Sequence, residues 1–510
     1  MLKKFGQCLG LSSLVLVANY VDLLGGGDNV RLHAPFALRG IAFAQIADIL
    51  IVALVIFIIL AAFQRTRFYG WVKLLIVIAV PPYLIFLTHT LFPFAVRPGL
   101  LALLTAIWTL SVLLLRTKFP PWYRILLRAG DMAGVFAAAF ALLSIVQLLW
   151  VAHWKPAPQQ LTAAWTTSPQ PPRNHPRLVW IVFDELSYDQ LFEHRAHDLP
   201  LPNFDALRNQ STVFTNVQPV GYKTVKIIPS LLTGQPVDDL RYRFDNTFLV
   251  HDAGRHGWHK VSGAQTVFHD AQQNGWRTAV VGWYNPYCGI YGDAIDQCYW
   301  MNLDSVAGVM AQRDPFWRNV TSPLQQLARE TESPARTAQD ACSDDVRHHR
   351  NSYVDLQQHT VQLLQTDQAD FVFLHMPVPH TPNVWSRGKH QFTDTCGSSY
   401  LDNLALADRT LGNLLHTLEA SPRWKDTTLI VEGDHGWRID LWNSAPAWTD
   451  EDKAASRGVF DPRPALLIHQ PGQTQSQTNS TAWPLIRIHD VVEQVVTGHP
   501  VPFQAPNVVH

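Results

Sequence analysis

The sequence predicts a membrane protein in two parts: an N-terminal bundle of five transmembrane helices, then an α/β domain built on a mainly parallel sheet. Three observations carry that expectation. The first 150 or so residues of the 510 are strongly apolar. The rest alternates short apolar runs with helix-like stretches, the pattern of strands joined by crossover helices. Two of those runs end in groups that bind metals: Leu178–Phe183 leads into Asp184-Glu185, and Thr428–Val431 leads to Asp434-His435-Gly436. The expected boundaries are residues 1–154 for the helical bundle, 155–177 for a linker and 178–510 for the α/β domain.

A membrane-spanning helix needs about 20 mostly apolar residues. Five segments qualify: roughly Phe5–Leu24, Ile41–Phe63, Trp71–Phe92, Gly99–Leu115 and Ala129–Val151. Lys3, Lys4, Arg65, Arg67, Lys73, Arg116, Lys118, Arg124 and Arg128 gather on one side of these segments, against Arg31, Arg39 and Arg97 on the other. The positive-inside rule then places the N-terminus in the cytoplasm. An odd number of crossings puts everything after Trp154 outside, which in a bacterium means an inner-membrane protein with a periplasmic or extracellular domain. Cysteine usage agrees with an oxidising compartment. Four cysteines fall in the outer part, with Cys288 expected to pair with Cys298 and Cys342 with Cys396, one of three possible pairings. No Cys-x-x-Cys spacing supports a structural zinc site instead.

Lys155–Arg177 is rich in Pro, Gln, Ser and Thr and reads as a linker. Beyond it come apolar runs at Thr278–Val281, Phe371–Leu374 and Ala465–Ile468, with helical patterns at Val267–Trp276 and Tyr400–Leu418. Ligands of open α/β sheets bind at the carboxyl ends of the strands, which is where the acids and histidines fall. With 40 basic and 41 acidic residues the chain has no global basic field, so nucleic acid is not an expected partner.

Four segments carry chemistry. Asp184-Glu185 suits either metal ligation or a capped turn. Asp434-His435-Gly436 joins a carboxylate and an imidazole at a strand end, with a Gly that allows a sharp turn. His375-Met376-Pro377-Val378-Pro379-His380-Thr381-Pro382 places two histidines in a proline-rich loop, where either could meet a substrate or be structural. Thr224 opens a segment ending Leu231-Leu232-Thr233-Gly234. A hydroxyl at a helix N-terminus sits at the positive end of the helix dipole, and metal coordination would make it a nucleophile. Lys223 and Lys226 flank it and could bind an anionic substrate, or could be ordinary solvated side chains.

Together these motifs resemble the alkaline phosphatase superfamily, in the branch of sulfatases and membrane phosphoethanolamine or phosphoglycerol transferases. The resemblance covers roughly Arg177 to His499 and implies a sulfatase-like fold. Sulfatases place a Cys or Ser, matured to formylglycine, where Thr224 stands. Threonine cannot be so converted and is the nucleophile of the transferases. Leu374-His375-x4-His380-x-Pro382 is similar to a transferase loop, as is Cys396 followed by Tyr400-Leu401-Asp402-Asn403 and Asp408.

The resemblance implies a divalent metal, zinc first with manganese, magnesium or calcium as alternatives. Asp184, Asp434, His435 and the nucleophile Thr224 would hold it, with Glu185 as a further ligand. His380 would be catalytic, and His375, Lys223 and Lys226 would bind substrate. The partners so implied are a phospholipid donor, an envelope lipid or glycan acceptor, and the bilayer itself. Hydrolysis of a phosphate or sulfate ester, or an inactive regulatory protein of the same fold, are the alternatives. The sequence departs from the transferases at Asp184-Glu185, and at Trp437-Arg438-Ile439-Asp440 where a Gly-rich stretch is expected.

Overall fold

The computed structural model describes residues 2–24, 37–91, 98–161, 176–243, 247–252, 254, 257–301, 316–317, 319–321 and 334–499. The expected linker lies largely outside the described residues. The chain divides into two compact units, one holding the N-terminal helices and the other the α/β domain.

The helical unit contains α1 (Leu2–Val15), α2 (Val17–Leu24), α3 (Arg39–Phe63), α4 (Tyr69–Leu91), α5 (Pro98–Lys118) and α6 (Pro120–Ala152). The five expected segments are helical over their described residues, and the first is divided between α1 and α2. Among the described residues three helices, against the five spans expected, are long and apolar enough to cross a membrane: Arg39–Phe63, Gly99–Lys118 and Pro120–Ala152. The last begins nine residues before the expected Ala129, because Pro120 and Pro121 occupy the first turn, where a missing N–H does no harm. Small residues let α1 approach α6 closely: a Cβ on Gly10 would lie 2.5 Å from the Ala138 backbone nitrogen.

Among the described residues the main sheet has nine strands: β1 (Gln160–Leu161), β2 (Arg177–Phe183), β3 (Thr212–Phe214), β4 (Thr278–Trp283), β5 (Gln297–Met301), β6 (Phe371–Met376), β7 (Thr427–Gly433), β8 (Leu466–His469) and β9 (Gln477–Asn479). Their order is β1-β5-β4-β6-β2-β7-β8-β3-β9. The central run β5-β4-β6-β2-β7 is parallel, as the alternating pattern predicts. The sheet as a whole is mixed, because β8 runs antiparallel to both β7 and β3, and β1 antiparallel to β5. An apolar run such as Ala465–Ile468 announces burial but not direction, so the reversal at β8 is invisible in the sequence.

The unbroken apolar runs follow from cover on both faces. On one face Val179, Ile181 and Phe183 join Leu374, Val431, Tyr353, Leu356, Leu404 and Leu411 in one core. Those last four come from the long helices α8 (Pro334–Thr366) and α9 (Tyr400–Glu419). On the other face Trp180 meets Phe373 at 5.0 Å, and Phe371 meets Phe268, which lies in the helix Val267–Gln273. Both expected disulfides form, Cys288–Cys298 and Cys342–Cys396. The second ties α8 to the segment that leads into α9.

Register places the chemistry. Met376 of β6 and Gly433 of β7 both pair with Phe183 of β2. The residues that follow Phe183 and Gly433, Asp184 and Asp434, therefore leave adjacent strands at the same level. His375 lies one position before the end of β6, opposite Val182.

Candidate active site

Thr224 is the first residue of helix α7 (Thr224–Thr233), which ends at Gly234 in the left-handed conformation at φ 67°. Its hydroxyl donates to Asp184 Oδ2 at 3.2 Å and lies 3.3 Å from His435 Nε2. Asp184, His375 and Asp434 are fully buried, and Thr224 and His435 nearly so. His435 Nδ1 lies 2.9 Å from the Gly436 carbonyl, which can only accept, so that nitrogen carries the proton. Nε2 then offers a bare lone pair, 3.6 Å from Asp184 Oδ1 and 3.2 Å from Asp434 Oδ2. His375 Nδ1 meets the Tyr287 hydroxyl at 2.7 Å, and its Nε2 lies 3.6 Å from Asp184 Oδ2.

Three buried atoms in this cluster have no hydrogen-bond partner: Asp184 Oδ1, Asp434 Oδ2 and His375 Nε2. Buried acceptors left facing one another are costly unless a cation joins them. One ligand atom from each of Asp184, His375 and Asp434 falls within 4.8 Å of the others, the spacing of a metal site. Electrostatics agree. Burial pushes the Asp184 carboxyl well above its usual range, and the Asp434 charge adds to the push. Asp434 is raised by the same burial, against the lowering influence of His375. Burial lowers His375 to about 4, and burial followed by the Arg438 charge lowers His435 to about 3. Both imidazoles are thus neutral at pH 7, the form that binds metals.

The structure redistributes several expected assignments. His375, expected as a substrate ligand, belongs to the metal-type cluster. Glu185, expected as a further ligand, turns elsewhere: its carboxylate accepts from Arg438 Nε at 2.6 Å and from Trp442 Nε1 at 2.8 and 3.1 Å. Its backbone, at φ 67°, lets its N–H donate to Asp434 Oδ1 at 3.0 Å while its carbonyl accepts from the Tyr400 hydroxyl at 2.7 Å. Lys226 also turns away. Its ammonium donates to the Asp238 carbonyl and lies 3.9 Å from the Asp239 carboxylate. Lys223 is exposed beside Thr224.

His380 is buried between Trp283 and Trp442, at ring distances of 5.0 and 5.3 Å. Burial, then the Arg438 charge, holds it well below its ordinary range, so it too is neutral. Asn403 of α9 secures its loop by donating to the His380 carbonyl at 3.0 Å. The Tyr400 and Asn403 motif thus positions the site from behind.

Sequence reasoning missed Arg438, Trp442 and Tyr287. Arg438 is the largest omission. It is 7% exposed, pairs with Glu185, and donates to the Tyr222 carbonyl at 3.4 Å. Its signal was present, an Arg three residues after His435, but the stretch reads only as a break from a Gly-rich pattern. Arg438→Ala leaves Glu185 as an unpaired buried charge, so a loss of about 3 kcal/mol is expected. Adding Glu185→Gln should restore part of it, as thermal unfolding of the single and double variants will report.

The sequence profile described as Sulfatase matches residues 176–496. No curated protein matches the chain significantly. Solved structures similar to it include the PsFucS1 sulfatase from Pseudoalteromonas sp., at 14% identity over 63% of this chain and 68% of that one, with a TM-score of 0.43. The phosphonate monoester hydrolase of Agrobacterium radiobacter is 14% identical over 65% and 79%, TM-score 0.38. The lipoteichoic acid synthase LtaP from Listeria monocytogenes is 14% identical over 64% and 72%, TM-score 0.38. With its family model matching residues 176–496, well over half of the chain, this protein belongs to the sulfatase family, enzymes that act on sulfate and phosphate esters.

Proposed function

We propose that this protein is a membrane-anchored transferase that moves a phospho-head-group, of phosphoethanolamine or phosphoglycerol type, from a phospholipid to an envelope lipid or glycan. The observation that carries the reading is Thr224: a hydroxyl that cannot mature to formylglycine, at a helix N-terminus, in contact with Asp184 and His435. Asp184, His375, Asp434 and His435 would hold a divalent metal, joined by Thr224. This mixed nitrogen and oxygen donor set suits zinc better than calcium, which takes oxygen ligands. A bound divalent cation supplies charge neutralisation at the phosphate and acidifies the threonine hydroxyl.

Thr224 Oγ attacks phosphorus, the bond from phosphorus to the diacylglycerol oxygen breaks, and the threonine proton ends on that alcohol. The head group stays on phosphorus as a phosphothreonine ester. An acceptor alcohol then attacks the same phosphorus, Thr224 leaves, and the acceptor's proton returns to it. Neutral His380 is suited to accept that proton in transit or to hydrogen-bond a phosphate oxygen. Arg438, held by Glu185 and Trp442, supplies the fixed positive charge that Lys226 does not.

Five spans with a cytoplasmic N-terminus anchor the enzyme in a bacterial inner membrane and put the catalytic unit in the periplasm. The asymmetry of basic residues and the two disulfides support that placement. Mass spectrometry of the protein incubated with phosphatidylethanolamine or phosphatidylglycerol tests the reading. An adduct of the head-group phosphate on Thr224, discharged by an acceptor alcohol, is expected. Release to water alone, at the same rate with or without acceptor, would make the protein a hydrolase.

A further inference from the structure

Apolar side chains gathered at one exposed place mark a binding surface. Among the described residues of the catalytic unit, the large apolar side chains more than a third exposed are Tyr222, Val354, Leu441, Val459 and Phe460. Four of these five lie within three residues, along the chain, of Thr224, Arg438 or Pro462. Tyr222 stands two residues before Thr224, and its ring lies 6.0 Å from Phe460. Its hydroxyl donates to Asp440 at 2.9 Å, and its carbonyl accepts from Arg438. Leu441 follows Asp440 on the short helix Ile439–Trp442. Val459 and Phe460 enter the segment whose Pro462 carbonyl accepts the Gly436 N–H at 3.2 Å. The segments that place Thr224, Arg438 and the His435 turn each therefore show an apolar side chain to solvent.

We propose that Tyr222, Leu441, Val459 and Phe460 form a rim that receives the acyl chains of a lipid whose phosphate lies at Thr224. The proposal rests on the transferase reading and names the substrate feature it needs. Charge and apolar character are arranged as in an amphiphile. Buried Arg438, exposed Lys223 and the N-terminus of α7 supply positive charge for the anion, and Tyr222, whose carbonyl accepts from Arg438 and whose ring lies 6.0 Å from Phe460, joins that charge to the rim. Exposures of 46% at Leu441 and 57% at Val459 are unfavourable beside a site for a small hydrophilic ester, and are covered by a glycerolipid.

The test uses full-length protein in nanodiscs with two substrate arms. One is a phosphatidylethanolamine and phosphatidylglycerol series of rising acyl length. The other is bis(p-nitrophenyl) phosphate, a soluble diester. For the wild type, kcat/KM should climb with chain length, by at most about fourfold per methylene. Leu441→Ser combined with Val459→Ser should flatten that climb and leave the soluble diester unchanged. A double variant that follows the wild type along the series, or that loses the soluble diester as well, overturns the rim. Failure of the wild type on every lipid, with the soluble diester still cleaved, overturns the transferase reading instead. The rim is then judged by bimane on Val459→Cys, which doxyl-labelled phosphatidylcholine should quench while bimane on Val354→Cys stays bright. Equal brightness at the two positions overturns it.

Discussion

Thr224→Ala is expected to reduce head-group transfer by on the order of 10⁴- to 10⁶-fold, the scale of losing a covalent nucleophile. The variant should still fold and still bind metal. Thr224 is the first residue of its helix, with Lys223 in the capping position, so no side-chain cap is lost. Asp184, His375, Asp434 and His435 remain to hold the ion. The hydroxyl's hydrogen bond to Asp184 Oδ2 disappears, which costs about 1 kcal/mol in the metal-free protein. Activity and stability should thus separate by several orders of magnitude, and metal content measured on the purified variant checks the separation. Thr224→Ser keeps a hydroxyl in the same place and should retain part of the activity together with a seryl adduct. An Ala variant that still forms the phospho-adduct on another side chain would disprove the assigned nucleophile.

Much of this arrangement was legible because strands speak twice in a sequence. The run Leu178–Phe183 announces a buried strand, and the polar residues after it announce the strand's carboxyl end, where such folds keep their chemistry. Asp184 and Asp434 come from strands far apart in the chain, yet the parallel pairing of Phe183 with Gly433 sets them side by side. Register is not written in either run alone. It is fixed when both faces of β2 and β7 are packed, and only then do the two acids converge.

What stayed hidden are the partners that each side chain chooses. Glu185 and Asp184 are neighbours and both acids, so sequence reading gives them one role. The positive φ at Glu185 divides them, sending one carboxylate to the cluster and the other to Arg438 and Trp442. His375 and His380 share one loop motif in the same way. His375 lies inside β6, where register carries it to Asp184, whereas His380 lies beyond the strand between two tryptophans. Lys226 looked available because a sequence does not show that Asp238 and Asp239 stand beside it.

Asp184→Asn separates the two forces that meet in the cluster. In the metal-free protein the Asp184 carboxyl is raised by burial and by the Asp434 charge. The folded state therefore holds a proton that the unfolded chain, titrating near 3.8, has already released. Stability of the metal-free protein falls as pH rises from about that value through the folded one. A divalent cation reverses the trend, because it needs the ionised carboxylates and displaces their protons, so its affinity climbs with pH. Asn keeps the shape and removes the charge. Metal-free Asp184→Asn should be more stable than the metal-free wild type at pH 8 by about 1–3 kcal/mol, with a flatter dependence on pH. The same variant should lose the stabilisation that zinc gives the wild type, and roughly 10³-fold or more in activity, since a metal's charge at the phosphate is worth several kcal/mol. Thermal unfolding with and without zinc, at pH 6 and pH 8, measures both sides. A variant less stable than wild type without metal would mean that Asp184 is anchored by hydrogen bonds rather than frustrated by Asp434, and that the cluster is a structural network.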